Sequence, residues 1–182
     1  SNFLLQFRYN FGYNRTLALK ERIDEKPLFI AERAFFACSS MERAFLPPYV
    51  SINEFAFANC FNLQNVSFES VKRFQCSYEN CTKSYIGEYA FFRCISLSSI
   101  EIPVTVREIK QYAFGECKRL ERVVLHAESN LNVIDKTAFS SCKKLVEISF
   151  NGTIDRFLQI EQVGIGEPLQ QQFKIVCTDG VV

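Results

Sequence analysis

The motif Ala-Phe-x-x-Cys occurs five times in this chain, as Ala34-Phe35 with Cys38, Ala56-Phe57 with Cys60, Ala90-Phe91 with Cys94, Ala113-Phe114 with Cys117 and Ala138-Phe139 with Cys142. The cysteines step by 22, 34, 23 and 25 residues. Self-similarity at a period of about 20–50 residues is the mark of a stacked repeat architecture. Other columns keep the same register. An isoleucine stands four residues before each Ala (Ile30, Ile52, Ile86, Ile109, Ile134). Met41, Leu63, Leu97, Leu120 and Leu145 stand three after each Cys. Ala44, Val66, Ile100, Val123 and Ile148 stand six after it, and Leu46, Phe68, Ile102, Leu125 and Phe150 eight after it.

Two local elements follow from these columns. The stretch Leu-x-x-Ile-x-Ile alternates at its end, as a short strand with one buried face does; Leu120 to Leu125 is the clearest copy. The segment Ile-x-x-x-Ala-Phe-x-x-Cys has apolar spacings of three and four, which fits a helical turn or short helix. One repeat cannot bury both faces, but stacked repeats can, each strand pairing with the next at about 4.8 Å and each Phe lying on the Phe below. The small Ala lets the turn approach the core. One structural position filled by Phe again and again also explains 19 Phe and 7 Tyr beside no Trp.

The run Cys94-x-x-Leu97-x-x-Ile100-x-Ile102-Pro103-x-x-Val106-x-x-Ile109-x-x-x-Ala113-Phe114 resembles the BspA-like, or treponemal-type, leucine-rich repeat family, and the resemblance covers about residues 30–150. It implies a curved solenoid on a secreted or cell-surface protein, often bacterial and sometimes from a parasitic protist, and some members are described as adhesins. The expected architecture is therefore an α/β repeat solenoid. It is a right-handed leucine-rich-repeat-like stack, with short parallel strands on the concave face and short helices or turns on the convex face.

Residues 1–29 read as a partial N-terminal repeat plus an insertion. Leu4-x-x-Phe7-x-Tyr9 fits the strand columns of a repeat that lacks its Cys, so the intact protein is expected to continue upstream. Asn10–Phe29 is open between a hairpin, a long loop and a degenerate repeat. Residues 30–150 hold the repeats, with a second insertion near 69–85, and residues 151–182 read as the C-terminal cap. In that cap Thr153 is placed to cap a short helix through Ile160, and Phe173–Cys177 reads as a last strand.

The eight cysteines do not point to metal. Zinc sites want closely paired ligands, commonly with His, whereas the one close pair is Cys76-x-x-x-x-Cys81 and the one histidine is His126. The periodic cysteines read as small buried hydrophobes. Stacked copies would keep their Cβ atoms about a strand spacing apart, too far for a bridge. Cys76 and Cys81 are the credible disulfide pair. No phosphate loop, nucleophile elbow or dinucleotide fingerprint is present, so no enzymatic activity, cofactor or metal is expected. A net charge of +1 supplies no broad field for nucleic acid, and no apolar run is long enough to span a membrane.

Function then falls to variable positions between the buried strand columns, which on a curved solenoid point outward from the concave face. Five residues after each Cys come Arg43, Asn65, Ser99, Arg122 and Glu147, and seven after come Phe45, Ser67, Glu101, Val124 and Ser149. The partial repeat adds Gln6 and Arg8. Mixed charges, small polar groups and two apolar residues suit an extracellular protein or glycan, with Phe45 and the arginines as anchors. The competing expectation is a solvated row on a structural spacer that displays another domain. The oligomeric state is not legible.

Overall fold

The computed structural model describes residues 4–5, 15–19, 28–69, 84–164 and 173–182. The repeats coil into a solenoid walled by two sheets. The first contains β1 (Leu4–Leu5), β3 (Leu28–Ile30), β5 (Val50–Ile52), β7 (Ser84–Ile86), β9 (Val106–Ile109), β11 (Val133–Asp135) and β13 (Glu161–Val163), in that order and parallel throughout. The second contains β2 (Thr16–Ala18), β4 (Arg43–Leu46), β6 (Asn65–Phe68), β8 (Ser99–Glu101), β10 (Arg122–His126), β12 (Glu147–Asn151) and β14 (Lys174–Cys177), likewise parallel. A short antiparallel strand, β15 (Gly180–Val181), closes its end. Odd and even strands alternate along the chain, so each coil contributes one strand to each sheet.

The expected α/β make-up is not what forms. Among the described residues the one helix is α1 (Ile154–Leu158), in the C-terminal region, where Thr153 accepts a hydrogen bond from the Arg156 amide at 3.3 Å. The isoleucine column, expected in helical turns, instead lies in the first sheet: Ile30, Ile52, Ile86, Ile109 and Ile134 sit in β3, β5, β7, β9 and β11. After each isoleucine the chain makes successive tight turns rather than a helix. In the coil of Ala34 the turns close through Ala34 N–H to Ala31 O (3.1 Å), Phe36 N–H to Arg33 O (3.1 Å) and Cys38 N–H to Phe35 O (3.2 Å).

The amides between these donors point along the stack. Arg33, Phe35 and Ala37 donate to the carbonyls of Glu54, Ala56 and Ala58 in the next coil, at 2.8–3.0 Å. Phe55, Phe57 and Asn59 donate to Glu88, Ala90 and Phe92 in the same way. Alternating donors require residues of left-handed conformation inside the turns, and Arg33, Ala37, Phe55, Asn59, Tyr89, Arg93, Tyr112, Glu116 and Ser141 all have φ between 48° and 61°. Each costs on the order of 1–2 kcal/mol, and each prevents a continuous α-helix. The hydrogen bonds between coils offset that cost, as does the stacking of the Phe55, Tyr89 and Tyr112 rings at 4.9 and 5.2 Å.

The core lies between the sheets and this wall of turns. Phe35, Phe57, Phe91, Phe114 and Phe139 form a column with ring centroids 5.0, 5.1, 5.2 and 5.4 Å apart and nearly parallel planes. Met41, Leu63, Leu97, Leu120 and Leu145 are buried beside them. At the C-terminal end Phe173 meets Phe139 edge-on, with planes at 89°. Arg156 ties α1 to the last coils by donating to the carbonyls of Ser129 and Leu131 at 3.1 and 3.3 Å.

The strand expected before β4 is displaced. Thr16–Ala18, not the stretch around Phe7, pairs with Arg43–Phe45, and Leu4–Leu5 belongs to the other sheet. Thr16-Leu17-Ala18 alternates with Leu17 inward, but no Ala-Phe-x-x-Cys motif precedes it.

Candidate recognition face and the cleft beside it

Parallel register brings the variable strand positions into two straight rows. The first runs Thr16, Arg43, Asn65, Ser99, Arg122, Glu147, Lys174. The second contains Ala18, Phe45 and Ser67 in one run and Glu101, Val124, Ser149 and Val176 in another. Between them lies the buried column of Leu17, Ala44, Val66, Ile100, Val123, Ile148 and Ile175. With neighbouring strands about 4.8 Å apart, six steps carry the first row about 29 Å, long enough for an extended partner. Arg43, Asn65, Ser99, Glu101, Arg122 and Glu147 are exposed, while Ser67, Val124 and Ser149 are half-buried. Phe45 leaves 46% of its surface in solvent although it sits in a strand.

The structure therefore brings Arg43, Phe45, Asn65, Ser67, Glu101, Arg122, Val124, Glu147 and Ser149 onto one sheet face. Gln6, Arg8, Cys76 and Cys81 lie outside the described residues. The row positions preceding Arg43 and Phe45 belong to Thr16 and Ala18, and Arg43 Nε donates to Thr16 Oγ1 at 3.1 Å. Lys174 and Val176 extend the rows at the other end. Reading Phe173–Cys177 as a strand was enough to place them there.

The face is not continuous. β4 and β6 pair through four residues, Arg43↔Asn65 to Leu46↔Phe68, but β6 and β8 pair at Asn65↔Ser99 alone. On its far side β8 stays with β10, and Ile102 N–H donates to Val124 O at 2.9 Å. The divergence opens a cleft of about 590 Å³. Val66, Ile100, Pro103 and Val104 line it with Phe68, together with the polar side chains of Glu69, Glu101, Glu128 and His126. His126 Nε2 lies 2.8 Å from Glu101 Oε1. Sequence reasoning missed this cleft. His126 fell in no buried column, and the spacing of residues does not show how far two strands stay paired.

The cysteine column faces inward and is held by more than packing. The thiols of Cys60, Cys94, Cys117 and Cys142 donate to the carbonyls of Phe35, Phe57, Phe91 and Phe114, each in the preceding coil, at 3.0–3.2 Å. Burial pushes the Cys60 and Cys142 thiols up to about 12 and holds Cys94 and Cys117 well above the ordinary value of 9.0. A thiol that stays protonated is a poor nucleophile. Treatment with iodoacetamide at pH 8, followed by mass mapping, should leave these four unmodified in the native protein and modify all of them in urea. The raised values also have a sign: folding holds protons that the unfolded chain releases above about pH 9, so stability is full below that pH and falls as pH rises toward 12. A urea midpoint that rises between pH 9 and 11 would contradict this.

Two interleaved parallel sheets, a phenylalanine column and coils of leucine-rich spacing define a leucine-rich-repeat solenoid. The chain belongs to the BspA-type leucine-rich repeat family, whose model matches six copies over residues 13–84 and 75–160. A leucine-rich cell surface protein from Faecalibacterium prausnitzii has a similar structure, with a TM-score of 0.64 at 24% identity, over 84% of this chain and 36% of that one. A leucine-rich repeat protein from T. pallidum gives a TM-score of 0.52 at 23% identity, over 77% of this chain and 74% of that one. At 36%, this chain spans little more than a third of the length of the F. prausnitzii protein. Among curated proteins none matches the chain.

Proposed function

We propose that the chain is a non-enzymatic recognition module of a secreted or surface-exposed protein, which binds an extracellular protein or glycan on the outer face of its eight-stranded sheet. The observation that carries this reading is the alignment of exposed, chemically varied side chains in two straight rows over a rigid, buried column. A preorganised surface of this kind loses little entropy on binding. Phe45 and Arg122 are the anchors, because aromatic and Arg side chains dominate binding energy at interfaces. That the similar F. prausnitzii protein is a cell surface protein supports the location.

The test is a screen of the chain against extracellular proteins and glycans, repeated with Phe45→Ala and Arg122→Glu. Each substitution should weaken a true ligand by roughly 30-fold, the effect of losing a hot spot worth about 2 kcal/mol. Both positions are at the surface, so thermal stability should not change. A ligand that binds both variants as well as the parent sinks this reading. The second reading, a spacer that displays another domain, is favoured by the small share of the F. prausnitzii chain that this one spans.

A further inference from the structure

The two positions that follow each motif cysteine change character along the stack. They hold Ser39-Ser40, Phe61-Asn62 and Ile95-Ser96 in the first three copies, but Lys118-Arg119 and Lys143-Lys144 in the last two. The fold sets these two basic pairs side by side. The same turn closes behind each, Leu120 N–H to Cys117 O at 3.0 Å and Leu145 N–H to Cys142 O at 2.9 Å. Beyond them β10 and β12 run in register from Arg122↔Glu147 to His126↔Asn151, so the two coils lie about 4.8 Å apart at this corner. Lys144 reaches from one coil to the other, its Nζ donating to Glu121 Oε1 at 2.9 Å. That hydrogen bond holds the Glu121 carboxyl below its usual range and Arg119 adds to the effect, so Arg119 and Lys144 act on one carboxylate. All four cations are exposed. Lys118, Arg119 and Lys143 have no ion-pair partner among the described residues, and the neighbouring Glu116 is engaged by Arg93 at 3.5 Å. A chain with a net charge of +1 thus gathers positive charge where the wall of turns meets the eight-stranded sheet. Like charges held this close repel one another, and a bound anion reverses that.

We propose that this corner binds a sulfated polysaccharide, with Lys118, Arg119, Lys143 and Lys144 donating to its sulfate oxygens. The inference goes beyond the recognition reading above, since none of these residues lies in the two rows. Charge density selects the ligand. Cations one residue apart along the chain and one coil apart across it match a polymer with more than one anionic group per sugar. A sulfated glycan supplies that density, and a glycan carrying carboxylates alone does not. A peptide is less well served, because it docks through main-chain hydrogen bonds at an open edge or through side chains in a groove. Here the amides of Leu120, Glu121 and Arg122 already donate to the carbonyls of Cys117 and Ser98. Single-stranded nucleic acid uses aromatic platforms for its bases, whereas Phe114, Phe139 and Phe150 in these coils are buried and Tyr112 is half-buried.

The probe is a heparin oligosaccharide of defined length, titrated into isotope-labelled protein beside its desulfated form, polyglutamate and a single-stranded oligonucleotide. Heparin should shift the amides of Lys118, Arg119, Lys143 and Lys144 saturably at about 0.1 M salt and lose its hold at about 1 M, where the screening length falls from about 10 Å to about 3 Å. Lys118→Gln with Lys143→Gln should weaken heparin about tenfold, within what two exposed charge pairs contribute, while the melting temperature holds. Arg107→Glu makes the same change in net charge at an exposed position on β9, in the other sheet, and should leave heparin binding nearly intact. Equal losses in the two variants would mean that binding follows net charge and not the corner, and would overturn the proposal. So would the absence of saturable shifts, or desulfated heparin, polyglutamate or the oligonucleotide binding as tightly as heparin. Phe45→Ala should leave heparin binding unchanged, which separates the two readings. If a ligand depends on Phe45 but heparin fails, the corner assignment falls and the recognition face stands. If heparin binds at the corner and no ligand depends on Phe45, the recognition face falls and the corner stands.

Discussion

Phe91→Ala should destabilise the fold by about 3–5 kcal/mol, read as a fall in the urea midpoint at constant slope. Phe91 is fully buried in the middle of the phenylalanine column, with Phe57 at 5.1 Å on one side and Phe114 at 5.2 Å on the other. The substitution leaves the backbone ladder in place, because the Phe91 amide and carbonyl still meet Ala113 O and the Cys117 thiol. What disappears is the ring, and with it two stacking contacts worth about 0.5–1.5 kcal/mol each beyond area burial. The neighbouring rings are held by their own coils and cannot close the void. Phe36 is the control: it lies on the same wall but is 43% exposed, so Phe36→Ala should cost less than about 0.5 kcal/mol. If the two variants proved equally stable, the column would be decoration rather than the spine of the stack.

Gly87→Ala should cost about 3 kcal/mol, the top of the range for overpacking. Its backbone is not left-handed, so the reason is space. A methyl group there would stand 2.7 Å from Ile52 O, 2.9 Å from Asn53 C and 3.0 Å from Glu54 N, all of them backbone atoms that cannot rotate away. The Gly87 amide also donates to Ile52 O at 2.7 Å, shorter than the matching bonds of Asn53 (3.1 Å) and Lys110 (2.9 Å). The coils on either side of Gly87 are thus at their closest here, and other repeats carry Ala31, Asn53, Lys110 or Asp135 at the same position. Chemical denaturation would measure the effect. A loss below about 0.5 kcal/mol would mean that the two coils can part without penalty.

The buried columns were legible because a repeat reports the same environment five times. Val123 and Leu125 alternate in sequence and are buried in β10, and Leu120 is buried just before it. The seven-stranded sheet was not legible. Val50-Ser51-Ile52 is only three residues, too short for alternation to be seen. Spacings of three and four after each isoleucine fit a helix as well as they fit two consecutive turns. The choice was made by hydrogen bonds to the next coil, at left-handed residues such as Phe55 and Tyr89 that no propensity scale would place there. The strand Thr16–Ala18 falls in the stretch left open between a hairpin, a long loop and a degenerate repeat, because no Ala-Phe-x-x-Cys motif precedes it as one precedes β4, β6, β8, β10 and β12. The rows of the recognition face followed directly from the columns, since an outward position is fixed once its inward neighbours are known. The cleft did not, because it depends on where two strands part.

The edge-on ring of Phe173 sets a direction for building with this scaffold. A column of parallel rings can be lengthened only by adding another ring in the same orientation, and the turned ring offers its edge and not a face to whatever comes next. The antiparallel β15 does the same for the strands. An engineer who wants a longer array must therefore splice new coils between existing ones, at a seam such as that between Phe114 and Phe139, and leave the last segment where it is.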